Sequence, residues 1–126
     1  MSNGDWRVEK AEEYEDLYKR IRDDDGALSN DLRQWSMVIG FYSALHYCSA
    51  VLSEIYSAND FNRHRNRNGL LSKKYRDLWK HYKLLYDLSQ QVRYQKDSLT
   101  ADELDESFQH FQILARKCRR KLGIRG

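Results

Sequence analysis

Residues Trp35 to Tyr56 read WSMVIGFYSALHYCSAVLSEIY, and no carboxylate, lysine or arginine interrupts them before Glu54. Val38, Phe41, Leu45, Cys48, Leu52 and Ile55 recur at alternating spacings of three and four, the period of one helical face. Trp35, Ile39, Tyr42 and Ala50 form a second apolar stripe beside the first. A helix that is apolar on most of its circumference needs neighbours on several sides. Ser36, Gly40, Ser43, Ala44, Ser49 and Ser53 are small enough to let those neighbours come close. The stretch predicts the central helix of an all-α domain.

On the N-terminal side, Trp6 to Arg22 is expected to be an acidic helix carrying Trp6, Lys10, Tyr14, Leu17, Tyr18 and Ile21 along one side. It ends at Asp23-Asp24-Asp25-Gly26, a turn-forming cluster without the spacing of a calcium loop. Ser29 or Asn30 then caps the central helix, which begins near Asp31. Beyond Tyr56, SANDFNRHRNRNG shows no periodicity and reads as a polar loop. From Leu71 to about Gln95 the spacing of Tyr75, Leu78, Tyr82, Leu85, Ser89 and Val92 predicts a third, amphipathic helix.

Lys96 to Leu99 is a short connection, and Thr100 with Glu103 forms the capping box of a fourth helix. Its stripe is Leu104, Phe108, Phe111, Ala115, Cys118 and Leu122, closed by Gly123. Four main helices joined by short links predict an antiparallel up-and-down bundle, one domain over residues 1–126. The absence of proline agrees with long helices. Cys48 and Cys118 both fall on apolar stripes, where a free thiol acts as a small hydrophobe. Two isolated cysteines, no apolar signal core at the start and a longest apolar run broken by His, Tyr and Ser lead to three expectations: a reducing, cytoplasmic location, no disulfide and no membrane span.

The net charge of +3 hides an asymmetry. Residues 1–31 hold five Lys/Arg against ten Asp/Glu, whereas residues 32–126 hold seventeen against nine. Asn62 to Lys83 contains eight basic residues and one acid, Asp77, the composition of a phosphate-facing surface. A solvated helix face would show the same charge run. No glycine-rich phosphate loop, paired histidine–carboxylate spacing or nucleophile elbow is present, so neither a metal nor a cofactor is expected.

His64-Arg67-Asn68, with Arg65 between them, gathers imidazole, guanidinium and amide groups that can hold a phosphate and move a proton. The alternative is a loop that only caps the next helix. His46 reads either as a binding group or as a core histidine satisfied by a tyrosine hydroxyl or a carbonyl. Arg93 lies on the edge of the third helix's core stripe and can reach past it, with Tyr94 next to it. His110 falls off the stripe of its helix and reads as surface.

The central helix with Tyr42 and His46, the His64-x-x-Arg67-Asn68 segment, and Tyr82-x-x-Leu85-x-x-x-Ser89-x-x-x-Arg93-Tyr94 together resemble the HEPN family of small helical domains. The resemblance covers roughly Trp35 to Tyr94. It implies RNA- or nucleotide-related work in a toxin–antitoxin, defence or stress system. It also implies a homodimer with a shared cleft, and a cognate antitoxin or nucleotidyltransferase as partner. Many members resemble metal-independent endoribonucleases whose signature is an Arg, a polar residue, and a His four to six positions after the Arg. The formal match here is Arg76-Asp77 with His81.

Two functions follow. In a ribonuclease, His64 would be the base, Arg67 the phosphate clamp and Arg93 a second cation. In a non-catalytic module pairing with itself or a neighbouring enzyme, the same groups would hold RNA or a nucleotide, with Tyr42, Tyr82 and Tyr94 stacking or hydrogen bonding.

Overall fold

The computed structural model of the chain describes residues 5–23, 30–95 and 98–124. They form helices α1 (Asp5–Asp23), α2 (Asn30–Ser53), α3 (Ala58–Phe61), α4 (His64–Lys74), α5 (Arg76–Tyr94) and α6 (Ala101–Lys121). No strand occurs among the described residues. The turn expected at Asp24-Asp25-Gly26, the expected cap Ser29 and the Lys96-Asp97 link lie outside what is described, while Asn30, the other expected cap, is the first residue of α2.

Helix α2 touches each of the other five helices, as its apolar circumference requires. Phe41, Ala44, Tyr47, Cys48 and Leu52 are fully buried. Its two ends depart from the expected stripes. Trp35 is 48% exposed, and Ile55, beyond the helix end at Ser53, is 69% exposed. The segment Leu32–Leu52 is long and apolar enough to cross a membrane by composition, but 72% of it is buried among the other helices.

Small residues set the spacing of α1 on α2. Ser43 Oγ donates to the Ala11 carbonyl at 2.6 Å, and Gly40 lies directly under the buried ring of Tyr18. Tyr18 is also edge-on to Phe108 and Phe111 of α6, so one ring locks three helices. Cys48 and Cys118 are buried and free. Gln34 clips the start of α6 to α2: its side chain donates to the Leu99 carbonyl and accepts from the Leu99 N–H. Thr100 and Glu103 form the expected capping box, and Gly123 takes the expected left-handed φ of 72°.

The region from Ser57 to Gly69 corrects the sequence reading, because it is helical rather than a loop. Ser57 caps α3 with Asp60, and α4 runs from His64 to Lys74. The single third helix expected from Leu71 is divided at Tyr75, whose φ of −134° and ψ of 64° are not helical. Neither proline nor glycine marks this break. Buried Arg67 and Leu71 give α4 an inward face of its own, and the change of direction at Tyr75 lets it use that face.

Candidate functional site

Four helices bring cations and aromatic rings to one place. Arg67 of α4 is only 7% exposed. Its Nε donates to Ser49 Oγ of α2 at 3.1 Å, and its Nη1 meets His64 Nδ1 at 3.2 Å. A guanidinium can only donate, so His64 Nδ1 is the acceptor and the neutral ring carries its proton on Nε2. The His64 ring also lies against Phe41 and Tyr86, at 6.1 and 5.5 Å between centroids.

Arg93 of α5 reaches back to α2, its Nη1 donating to the Tyr42 hydroxyl at 2.9 Å. Its Nε donates to the Ser89 carbonyl, while Nη2 is buried with no hydrogen-bond partner. Phe41, Tyr42 and Tyr94 surround its guanidinium at 5.2–5.8 Å. The Asn68 Oδ1, Tyr82 hydroxyl and Ser89 Oγ are likewise buried without partners.

On the other side, Tyr14 of α1 stacks parallel on His46 at 5.7 Å, and Trp6 meets the same imidazole edge-on. His46 is half-buried, and the described residues make no hydrogen bond to its ring nitrogens. The expected tyrosine or carbonyl partner is therefore not what holds it; ring stacking is. Burial lowers its pKa, and the nearby charges of Arg67, Lys10 and Arg7 lower it further. His64 shifts the same way, through burial and then Arg67 and Arg93. Arg7 is itself depressed by burial and by Arg67. The charged neighbours that act on the two histidines are all cations.

Arg7, Tyr14, Ser49 and Tyr86 belong to this cluster, and the sequence reading did not single them out as site residues. Arg7, Lys10 and Tyr14 share three–four spacing on α1. Only the packing of α1 on α2 shows that this face meets His46. Arg65 is exposed and contributes none of these contacts. Arg76 is exposed, whereas His81 is buried against α6, its Nδ1 2.8 Å from His110 Nδ1. Arg76 thus faces outward while His81 packs on α6, and His110 is half-buried rather than a plain surface residue. Among the described residues, no group of three or more His, Cys, Asp or Glu is placed to hold a metal.

The chain matches no protein-family model, and comparison with curated proteins and with solved structures gives no match either.

Proposed function

We propose that this chain is a HEPN-like domain that binds the phosphate of RNA or of a nucleotide at the Arg67–Arg93 cluster. The observation that carries the reading is Arg67: a buried guanidinium that has no carboxylate partner among the described residues and lies near the cations Arg7 and Arg93 and the imidazoles of His46 and His64. An unpaired buried charge is costly, and a bound phosphate would supply both the counter-charge and acceptors for N–H groups such as Arg93 Nη2. The rings of Trp6, Tyr14 and Tyr94 beside the cations offer surfaces on which a base can stack. We read α1, α2, α5 and α6 as the four antiparallel members of the bundle, with α3 and α4 carrying the site residues between them. Cytoplasmic residence, self-association and a cognate antitoxin or nucleotidyltransferase partner complete the proposal.

Binding without catalysis is the better supported form. The family signature wants a histidine four to six positions after its arginine, and counting from Arg67-Asn68 those positions hold Leu71, Ser72 and Lys73. His64 has its unprotonated nitrogen occupied by Arg67, so it faces a ligand as a donor, not as the base expected of it. One observation favours an endoribonuclease as the second reading. The half-buried His46 keeps a neutral imidazole near Arg7 and Arg67 with no hydrogen bond from the described residues, as a base for a ribose 2′-hydroxyl would need.

Labelled RNA incubated with the protein in excess EDTA, followed by anisotropy and by gel, tests both forms. Arg93→Gln should weaken binding at least tenfold, and His46→Ala should remove any cleavage while binding persists. RNA binding that ignores Arg93→Gln and Arg67→Met would refute the site.

A further inference from the structure

On another side of the α1–α2 pair, a cavity of about 350 Å³ opens between α1 and α6. Its floor is a closed network. Glu15, 5% exposed, accepts from the Tyr47 hydroxyl at 2.5 Å, from Lys19 at 2.9 Å and from Arg119. Arg119 also donates to the Tyr47 hydroxyl at 2.6 Å, so its guanidinium is fixed rather than swinging in solvent. Burial pushes the Glu15 carboxyl up, but Tyr47, Lys19 and Arg119 more than offset this and hold it ionised. Above the floor stand Gln112, Arg116 and Arg120.

Arg116 and Arg120 are exposed, one helical turn apart, and no acid pairs with either among the described residues. Like charges at this spacing repel across about 5–6 Å. The α6 dipole accounts for part of the basic tail, but it amounts to only about half a charge at the helix end. The cavity sets four cations, Lys19, Arg116, Arg119 and Arg120, against the one carboxylate of Glu15. A preorganised floor, two unpaired forks and an amide make an acceptor-seeking wall, the chemistry that recognises phosphate.

We infer that the α1–α6 groove is a second phosphate-binding site, built from Arg116, Arg120 and Gln112 over the Glu15–Arg119 floor. It shares no residue with the Arg67–Arg93 cluster, so either site can fail without the other. The phosphate can come from a free polyphosphate or from the backbone of an RNA strand that continues from the first site.

The test uses the full chain with its arginine side chains labelled for NMR. Pyrophosphate, a short uridine oligonucleotide and a long one are titrated in turn, and the Nε–H signals of Arg116 and Arg120 are followed. Those signals should shift, and with pyrophosphate, which does not span the two sites, they should shift equally in an Arg93→Gln background. Arg116→Gln with Arg120→Gln should abolish the pyrophosphate response, or lower the salt slope of RNA binding by roughly 1.4–1.8 for two lost contacts. Tighter binding of the long oligonucleotide than of the short one assigns the groove to a strand, while a response to pyrophosphate alone assigns it to free polyphosphate. Unmoved arginine signals with all three probes, or pyrophosphate shifts that disappear with Arg93→Gln, would overturn the second site. Should the double variant fail to fold, the titration of the unaltered chain decides alone.

Discussion

Arg67 poses the sharpest question at the scale of single residues. Its bonds to Ser49 and His64 join a charged donor to neutral acceptors and stabilise by about 1.5–3 kcal/mol each, while burial of its charge opposes folding by a similar amount. Arg67→Met removes both effects at similar length. The expected outcome is stability within about 1 kcal/mol of the parent in phosphate-free buffer. Added phosphate should raise the melting temperature of the parent by more than that of the variant, whose remaining response is that of the α1–α6 groove, because a ligand that binds the folded chain stabilises it. A variant that melts far earlier yet responds to phosphate as strongly as the parent would make Arg67 a structural strut.

The second residue-scale prediction concerns His81. Burial first, and then His110, Lys117 and Lys80, lower its pKa to about 4. Its bond to His110 needs one ring nitrogen free of a proton. A histidine whose folded pKa lies below its unfolded value favours folding when neutral. Its contribution is therefore complete above about pH 6.5 and is lost as the pH falls through that value toward 4. Solvent screening reduces the ceiling set by the shift to roughly 1–2 kcal/mol. Urea unfolding at pH 7 and pH 4.5 should show this loss, and His81→Leu should flatten it. An equal acid loss in the variant would place the responsible groups elsewhere.

At the scale of elements, the approach of α1 to α2 depends on Gly40. A Cβ there would overlap the ring of Tyr18, which is fully buried between three helices and has no room to turn. Alanine in mid-helix would ordinarily gain about 1 kcal/mol over glycine. Overpacking of this kind costs about 1–3 kcal/mol, and a ring held on several sides places the net change on the destabilising side. Chemical denaturation of Gly40→Ala should show a lower midpoint at unchanged slope. A gain in stability would mean the two helices can separate freely. Helix α4 teaches a different lesson. Its own hydrophobic periodicity is almost nil, because its inward residues are Arg67 and Leu71 with His64 at its first position. A pattern search for apolar stripes passes over such an element, and this is why the segment reads as a loop.

The molecule as a whole leaves an uneven surface. Leu32, Trp35 and Tyr94 are large exposed apolar side chains. Leu32 and Trp35 continue the α2 stripe that leads through Ile39 to Tyr42 and His46. Tyr94 sits against Arg93. Exposed aromatic residues of this kind mark a contact surface. The expected outcome is a homodimer: sedimentation at micromolar concentration should give twice the mass of one chain, and Trp35→Ser with Tyr94→Ser should shift it toward monomer. A monomeric parent under those conditions would leave the rings free for a ligand instead.

What the sequence determined by itself is local. The three–four spacing of Trp35 to Ile55 specified a central helix, Thr100 with Glu103 specified where α6 starts, and Gly123 specified where it ends, since each signal rests on residues within a turn or two of one another. The place of Arg93 on the edge of its stripe was also legible, because its angular position on the helix is fixed by backbone geometry, but the Tyr42 hydroxyl it turns back to was not. What only the tertiary structure decided is the company each polar side chain keeps. His46 against Tyr14, Arg67 against Ser49, His81 against His110 and Arg119 against Glu15 all join helices far apart in sequence. Such pairings follow from how helices dock and where Tyr75 redirects the chain, and no periodicity within a single helix encodes them.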